Sequence, residues 1–371
     1  MLLGAAAAAA IILFVTAHEA GHFIAAKAVG MKATQFFFGF GPKIWSTQIG
    51  ETEYGFKWIP LGGYVRIVGM NPLEEVEPGD IGRTYREKKF WEKSVVVLAG
   101  VGMNFMIAFI FFYGIIMLNG VADPIPVVDE VVITADIGGE TVTTPAANAG
   151  FGEGDVIVGV GGQEVATWDD MVMALETAGP GPTTVVINRG GEIITMDVDL
   201  IENEAPDGTM TGFLGVRPVV EVHQPNAFEA IGLAGQQVWT GIKFTFSAIG
   251  DMLRPSSLAQ YARVFIGDTD VDEDIRPVSP IGIVNIGSQT ESLAAFFGIL
   301  AVVNVILATI NLLPLFPLDG GHFAVALYEK LTGREADVRK LAPVAAAVIG
   351  LFLFLGFVAI VLDIVNPISL T

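Results

Sequence analysis

Four stretches of this chain are long, apolar and free of charge, at residues 1–17, 94–118, 292–318 and 341–362. A helix rises about 1.5 Å per residue, so roughly 20 apolar residues cross the hydrocarbon core of a bilayer. We therefore predict transmembrane helices at 1–28, 94–118, 292–318 and 341–363. This pattern is typical of a polytopic α-helical membrane protein with four transmembrane helices.

The segment between the first two predicted helices, residues 29–93, has a different pattern. From Phe36 to Gly69 apolar and polar positions alternate in short runs separated by glycines, which predicts β-hairpins. The hairpins either re-enter the membrane or lie in the cytoplasm against the helices, and both interpretations fit the pattern. Residues 319–340 contain several charges, and we expect a cytoplasmic loop there.

Residues 121–221 read as a small α+β domain. The apolar run 156–160 is followed by an amphipathic segment at 168–178 and by strand candidates at 184–188 and 193–200. Within 222–291, apolar residues recur at helical spacing from Asn226 to Leu253 but charges interrupt them. We expect an amphipathic helix and linker at the outer membrane interface.

Charge predicts the orientation of the chain. Residues 121–292 carry 26 acidic and 6 basic side chains, which accounts for the whole net charge of −20. The remaining basic residues lie between Lys27 and Lys93 and between Lys330 and Lys340. Because basic loops stay in the cytoplasm, we expect the N-terminus and the acidic block to be extracytoplasmic. The acidic charge also disfavours nucleic-acid binding.

One short motif carries chemistry. Residues 18–22 read His-Glu-Ala-Gly-His at the end of the first apolar stretch. Residues four apart share one face of a helix, so His18 and His22 can bind one Zn²⁺ while Glu19 serves as base for a water molecule. The chain contains no cysteine, which excludes thiolate ligands and cysteine catalysis. Two unrelated histidines at a helix end are the less favoured interpretation.

A catalytic zinc site needs a third protein ligand. Asp319 follows the third apolar stretch and two prolines, at the end of the span where it can meet His18 and His22. In the alternative interpretation Asp319 caps the next helix. His322 is a weaker candidate, either supporting the metal ligands or lying at the interface. Asp363 is a second acid near an apolar span, and we expect it to be solvated at the membrane interface.

These residues carry a resemblance that covers nearly the whole chain. The sequence resembles bacterial site-2 proteases, a family of intramembrane zinc metalloproteases that includes regulators of anti-sigma-factor degradation. The matching features are the motif at 18–22, Asn311-x-x-Pro-x-x-Pro-Leu-Asp319-Gly, Gly100-x-x-x-Asn104, and a PDZ-like insert with Ala-Gly-x-x-x-Gly-Asp at 149–155. The segment at 276–282 is also similar to the family, with a role that the sequence does not explain.

The resemblance implies a fold, an activity and partners. The fold would be four transmembrane helices, a membrane-associated β-hairpin region and an extracytoplasmic PDZ-like domain at 121–221 that recognises or filters substrates. The activity would be zinc-dependent cleavage of single-span membrane proteins in the lipid bilayer after a site-1 type protease. Glu19 would be catalytic, His18, His22 and Asp319 would bind Zn²⁺, and the active site would face the cytoplasmic side. Residues expected to contact substrate are Asn104, Asn311, Gly62 and Gly63.

Two other classes of protein remain open. A membrane metal transporter could use the same histidines and aspartate, but it would not need Glu19 beside them. A non-catalytic scaffold with a PDZ-like domain would need no metal ligands. The role of Gly100 also has two interpretations, because a small residue at this position fits either the family pattern or close helix packing alone.

Overall fold

The structure is a computed structural model, and it describes residues 2–70, 74–137, 140–204, 210–290 and 292–368. The chain divides into two compact units. Unit 1 contains Met1–Asn119 and Asn226–Thr371, and unit 2 contains Gly120–Pro225.

The described residues form mainly helices in unit 1 and mainly strands in unit 2. The helices are α1 (Leu2–Ala28), α2 (Phe90–Asn119), α3 (Pro145–Ala149), α4 (Trp168–Ala178), α5 (Ala227–Met252), α6 (Pro255–Val264), α7 (Pro280–Gln289), α8 (Leu293–Leu312), α9 (Asp319–Thr332) and α10 (Val338–Val365). The strands are β1 (Ala33–Ile49), β2 (Thr52–Ile67), β3 (Val121–Val131), β4 (Thr134–Ile137), β5 (Glu140–Thr143), β6 (Val156–Val160), β7 (Gln163–Glu164), β8 (Gly181–Arg189), β9 (Glu192–Glu204), β10 (Met210–Phe213) and β11 (Val216–His223).

Four helices in the described part of the chain are long and apolar enough to cross a membrane: α1, α2, α8 and α10. The chain is a multi-pass membrane protein. Helix α2 begins four residues before the predicted span. Its first turn includes the charged residues Glu92 and Lys93, which the charge-free stretch leaves out. Helix α8 ends at Leu312, six residues earlier than predicted, where Pro314 and Pro317 prevent its continuation.

The connection at residues 319–340, which the sequence predicts as a cytoplasmic loop, contains a helix, α9, and its location in the cytoplasm stays a prediction. Two glycines explain the local packing at its start. A Cβ atom on Gly320 would lie 2.1 Å from the carbonyl oxygen of Leu312, and one on Gly321 would lie 2.5 Å from the Phe316 backbone nitrogen. Only glycines allow α9 to begin against the chain that leaves α8.

Helix α5 packs along one face made of small residues. Ala230, Ala234 and Thr245 are buried, and a Cβ atom on Gly241 would lie 2.9 Å from Val305 of α8. Large apolar side chains on other faces, such as Phe228 and Trp239, are exposed. The helix is amphipathic as its sequence predicts, and its placement at the outer interface stays a prediction.

Strands β1 and β2 form a β-rich element within unit 1. Residues 33–38 of β1 pair with both ends of β2, with 53–56 on one side and 63–67 on the other. Residues 43–49 pair with 52–57. The strands therefore fold into four segments in the order 43–49, 52–57, 33–38, 63–67. The two outer pairs are antiparallel, and the middle pair is parallel, because residues 35–38 pair in increasing order with residues 53–56. Residues 63–67 form an edge of this sheet.

Asp363 was expected to be solvated, and this expectation is wrong. Its side chain is 1% exposed and pairs with Arg276 at 3.3 Å, while its second oxygen accepts a hydrogen bond from Ser279 N at 2.7 Å. A Cβ atom on Gly282 would lie 2.4 Å from that oxygen, so the glycine leaves room for the carboxylate. The segment at 276–282 thus joins the start of α7 to the end of α10.

Unit 2 is built around one antiparallel sheet with strand order β10-β9-β8-β6-β3-β11. Helix α4 begins with a capping box in which Thr167 and Asp170 satisfy each other's backbone N–H groups. Apolar residues of the sheet and of α4, among them Ile157, Val185 and Met171, form the core. The resemblance of this unit to a PDZ domain stays a prediction.

The Ala-Gly-x-x-x-Gly-Asp loop of unit 2 is held by its last residue. Asp155 is 1% exposed in its side chain and binds the Arg189 guanidinium through two hydrogen bonds of 2.7 Å. It also accepts a hydrogen bond from Gly152 N, and Arg189 donates to Gly150 O. Arg189 holds the pKa of the Asp155 carboxyl below its usual range. The loop is thereby fixed to the end of β8.

The Arg276–Asp363 pair predicts a measurable loss of stability. Asp363→Ala leaves the buried guanidinium without its charge partner, which typically costs about 3–5 kcal/mol in the free energy of unfolding. We expect a lower thermal midpoint for the variant in detergent, measured by tryptophan fluorescence. Asp251→Ala is the control, because its partner Arg254 is 69% exposed and such pairs contribute little. Equal midpoints for both variants would contradict the assignment.

Candidate metal centre

The motif at residues 18–22 lies on α1, and both of its histidines are 7% exposed. The Nε2 atoms of His18 and His22 are 3.1 Å apart. Asp319 Oδ2, from the first turn of α9, lies 3.0 Å from His18 Nε2 and 3.3 Å from His22 Nε2. Asp319 makes no side-chain cap for α9, whose N-cap residue is Leu318. Its carboxylate is directed to the two imidazoles instead.

These three residues form the candidate metal-binding group of the described chain, with ligand atoms within 4.8 Å of one another. His22 Nδ1 donates a hydrogen bond to Val96 O at 2.8 Å, so a neutral His22 presents the lone pair of Nε2 to the group. A lone pair facing a carboxylate oxygen and a second imidazole is unfavourable unless a cation lies between them.

The spacing of the three atoms fits zinc. Zn–N and Zn–O bonds of about 2.0–2.1 Å in a tetrahedral site put neighbouring ligand atoms about 3.3 Å apart. The separations of 3.0, 3.1 and 3.3 Å between the described nitrogen and oxygen atoms are close to this value. Two histidines and one aspartate also match the donor set of catalytic zinc, which keeps a position for water.

The other side chain of the motif, Glu19, does not belong to the ligand group. Its Oε2 accepts a hydrogen bond of 3.1 Å from the backbone N–H of Val65, in the sheet edge formed by residues 63–67. The N–H of Val65 is therefore directed to α1 rather than into the sheet. The contact places a carboxylate beside the candidate metal ligands and fixes its orientation.

A cavity of about 790 Å³ adjoins this edge. Its lining residues come from the sheet edge, the following loop and the turn before α9: Tyr64, Val65, Arg66, Ile67, Met70, Glu74, Glu75, Phe316 and His322. Arg66 and Glu74 pair with each other at 2.7 Å. The cavity thus lies along the sheet edge. It adjoins Val65, which binds Glu19, and His322, which follows Asp319 by one turn of α9.

The residues expected to contact substrate lie in different surroundings. Gly62 and Gly63 are buried in β2, where a Cβ atom on Gly63 would lie 3.0 Å from Phe37 O and 3.6 Å from Glu19 Cγ. Asn104 is 1% exposed on α2, and its Oδ1 has no hydrogen-bond partner among the described residues. Asn311 is half-buried in the last turn of α8. Their contact with a substrate stays a prediction.

Gly100 has a role that the sequence left open. A Cβ atom on Gly100 would lie 2.3 Å from His22 Nε2 and 2.5 Å from its Cε1. On the facing helix, a Cβ atom on Gly21 would lie 2.5 Å from Ala99 O. The two glycines let α1 and α2 cross at close range, and the His22 imidazole lies against the α2 backbone. The Gly-x-x-x-Asn pattern indicates helix packing, but it does not indicate contact with a histidine of the candidate metal centre.

This contact predicts that Gly100→Ala reduces metal binding. The added methyl group would occupy the place of the His22 ring, so the imidazole would have to leave the candidate ligand group. We expect less than one zinc per purified chain by elemental analysis. Gly102→Ala on the same helix is the matched control, because its Cβ would meet no atom within 4 Å, and it should bind zinc like the wild type. Full zinc content in Gly100→Ala would contradict the assigned contact.

Comparison with known proteins gives a consistent family. The model of peptidase family M50 matches residues 6–357. The zinc metalloprotease Rip1 of Mycobacterium bovis is 33% identical over an alignment of length 405, which covers 98% of this chain and 97% of that protein. Rip1 of Mycolicibacterium smegmatis is 34% identical with the same coverage. A putative zinc metalloprotease of Clostridium perfringens is 28% identical and covers 95% of both chains.

These relatives match this chain almost from end to end, and their names state both the metal and the activity. Zn²⁺ is therefore the expected cofactor, and the membrane metalloprotease implied by the sequence is confirmed at the level of the family. The chain belongs to peptidase family M50, the site-2 proteases, and is a zinc metalloprotease.

Proposed function

We propose that this chain is an intramembrane protease that hydrolyses peptide bonds within or near the transmembrane segment of single-span membrane proteins. The observation that carries the proposal is the convergence of His18, His22 and Asp319 on one point between helices of transmembrane length. A soluble peptidase has no need to build its metal centre on such helices. The site-2 protease family also acts on membrane-bound substrates.

In this proposal His18, His22 and Asp319 hold Zn²⁺, and Glu19 is the general base. When bound, Zn²⁺ lowers the pKa of water and polarises the scissile carbonyl group. Glu19 takes a proton from the attacking water as the new C–O bond forms. It then returns this proton to the amide nitrogen as the C–N bond breaks. The hydrogen bond from Val65 N orients Glu19 for both transfers.

The sheet edge at residues 63–67 could stabilise a substrate helix in an unwound form by pairing with its backbone. A peptide bond inside a substrate helix is shielded by the hydrogen bonds of that helix. An unwound segment needs new partners for its backbone groups, and an edge strand supplies them. Gly62 and Gly63 keep this edge close to Glu19, and we propose that Asn104 and Asn311 bind unwound backbone.

The orientation and the partners are also proposals. Basic loops on the cytoplasmic side would place the N-terminus and unit 2 outside, and the active site towards the cytoplasm. Unit 2 would act as a PDZ-like module that recognises or filters the outer part of the substrate. The resemblance supports substrates such as anti-sigma factors, first trimmed by a site-1 type protease, whose cytoplasmic part is released as a signal.

Replacement of the proposed base tests the mechanism. We expect Glu19→Gln to keep one zinc per chain, because Glu19 is not a ligand, and to lose cleavage of a reconstituted single-span substrate by at least about 100-fold. The readouts are elemental analysis and gel-based cleavage. Retained proteolysis would overturn the assignment of Glu19. Transport of zinc into liposomes without any cleavage would favour a metal transporter, and neither activity would favour a scaffold.

Metal removal tests the ligand assignment. Chelation of purified protein with 1,10-phenanthroline should abolish cleavage, and stoichiometric Zn²⁺ should restore it. Asp319→Ala should bind less zinc and should stay inactive at the Zn²⁺ concentration that restores the wild type. Glu335→Ala, in the connection after α9, is the control and should respond like the wild type. Restoration of Asp319→Ala to wild-type activity would contradict the role of Asp319 as ligand.

A further inference from the structure

His322 lies beside the candidate metal centre, and the mechanism proposed above does not use it. It follows Asp319 by three residues on α9, and residues at this spacing share one face of a helix. Its imidazole packs on the Phe316 ring with a centroid distance of 4.9 Å. The side chain lines the 790 Å³ cavity together with Val65 of the sheet edge.

The position of His322 argues against a role as metal ligand. In the described chain its ring nitrogens do not belong to the group of ligand atoms formed by His18, His22 and Asp319. No described residue provides a hydrogen-bond partner for either ring nitrogen. A half-buried imidazole in the wall of a cavity, with no partner in the described part of the chain, leaves a donor and an acceptor for a bound peptide.

The electrostatic surroundings favour the neutral form of this imidazole. Burial lowers the pKa of His322 from its usual value, although the charge of Asp319 acts in the opposite direction. A neutral imidazole carries one N–H donor. It can therefore donate a hydrogen bond to a carbonyl oxygen without adding a second positive charge to a site that holds a divalent cation.

A substrate peptide that pairs with the sheet edge would bring carbonyl groups close to such a donor. A peptide paired with the edge at 63–67 directs only alternate carbonyl groups into the sheet, and the others face away from it. The cavity wall is apolar only in part, and Arg66 in it already pairs with Glu74, so these carbonyls need other donors. The scissile carbonyl needs one most, because negative charge develops on its oxygen during attack by water.

We propose that His322 is a further catalytic residue, which donates a hydrogen bond from its ring N–H to the carbonyl oxygen of the scissile peptide bond. This inference rests on the proposed function, since it takes the cavity beside residues 63–67 as the place where the peptide is cleaved. The hydrogen bond strengthens as the oxygen gains charge, and His322 itself neither gains nor loses a proton. Its contribution is therefore to kcat rather than to substrate binding.

Three substitutions separate the hydrogen bond from packing. His322→Phe keeps an aromatic ring against Phe316 but removes the N–H donor. His322→Gln and His322→Asn remove the ring and place an amide N–H near the positions of Nε2 and Nδ1, respectively. Each variant is purified as the full chain, and zinc content, thermal midpoint, kcat and KM are measured with the same reconstituted single-span substrate. Tyr328→Phe, which removes the polar atom of an exposed aromatic side chain on the same helix, is the matched control.

We expect His322→Phe to keep one zinc per chain and the wild-type thermal midpoint, and to lose about 100-fold in kcat with KM changed less than about threefold. At least one amide variant should have a kcat about tenfold higher than that of His322→Phe, and Tyr328→Phe should have wild-type kinetics. Wild-type kcat in His322→Phe would overturn the inference, because packing alone would then suffice. Loss of zinc from His322→Phe, or no recovery by either amide, would overturn it as well.

The Glu19→Gln variant separates this inference from the function on which it rests. If Glu19→Gln is inactive while His322→Phe has wild-type kcat, the proposed function stands and only the role of His322 fails. If Glu19→Gln retains cleavage, the proposed catalytic site itself is wrong. The role of His322 then fails with it.

Discussion

The packing of α1 directly against α2 is the contact on which the candidate metal centre depends. A His22 imidazole can lie among apolar helices only where it has room and a fixed direction. Gly21 and Gly100 provide the room, because each lacks the Cβ atom that would meet the other helix. Val96 O provides the direction, because it accepts the Nδ1–H and leaves Nε2 facing His18 and Asp319. A side chain at either glycine would separate the helices or displace the imidazole.

The third candidate ligand is positioned by a different part of the chain. Asp319 begins α9, and the two glycines that follow it allow the helix to start against the end of α8. The other end of α9 is tied to α2, since Lys93 Nζ lies 3.0 Å from Glu329 with both side chains largely buried. Helix α9 is thus fixed at both ends. Asp319 is thereby held against two histidines that lie almost 300 residues earlier in the chain.

At the candidate metal centre, the backbone of a transmembrane-length helix, α1, lies next to the backbone of a sheet edge. Helices satisfy their own N–H and C=O groups, which is the condition for crossing a membrane. The edge strand of a sheet leaves some of its N–H and C=O groups unpaired. In this chain one of these edge groups, the N–H of Val65, donates a hydrogen bond to Glu19. The same contact therefore orients the proposed base and keeps the sheet edge next to the candidate metal ligands. An edge strand in this position is costly unless it has a partner, which supports its proposed use for an unwound substrate.

Much of the fold could be predicted because its signals are local. Runs of uncharged apolar residues locate α1, α2, α8 and α10, although prolines end α8 earlier than hydropathy alone indicates. Alternation and glycines predict β1 and β2. Helix α9 was missed because its charges resemble those of a loop. Asp363 was misread because its partner, Arg276, lies 87 residues away and nothing local indicates the pair.

The sequence by itself determined the chemistry of this protein: two histidines and a glutamate at helical spacing, a separate aspartate after a proline-rich break, and no cysteine. These follow from residue type and periodicity, which need no knowledge of distant contacts. The tertiary structure alone decided the distances of 3.0 to 3.3 Å among His18, His22 and Asp319, the contact of Gly100 with His22, and the bond of Glu19 to Val65. Such contacts depend on how helices cross and where a sheet edge lies, and these are set by packing over the whole unit rather than by neighbours in the chain.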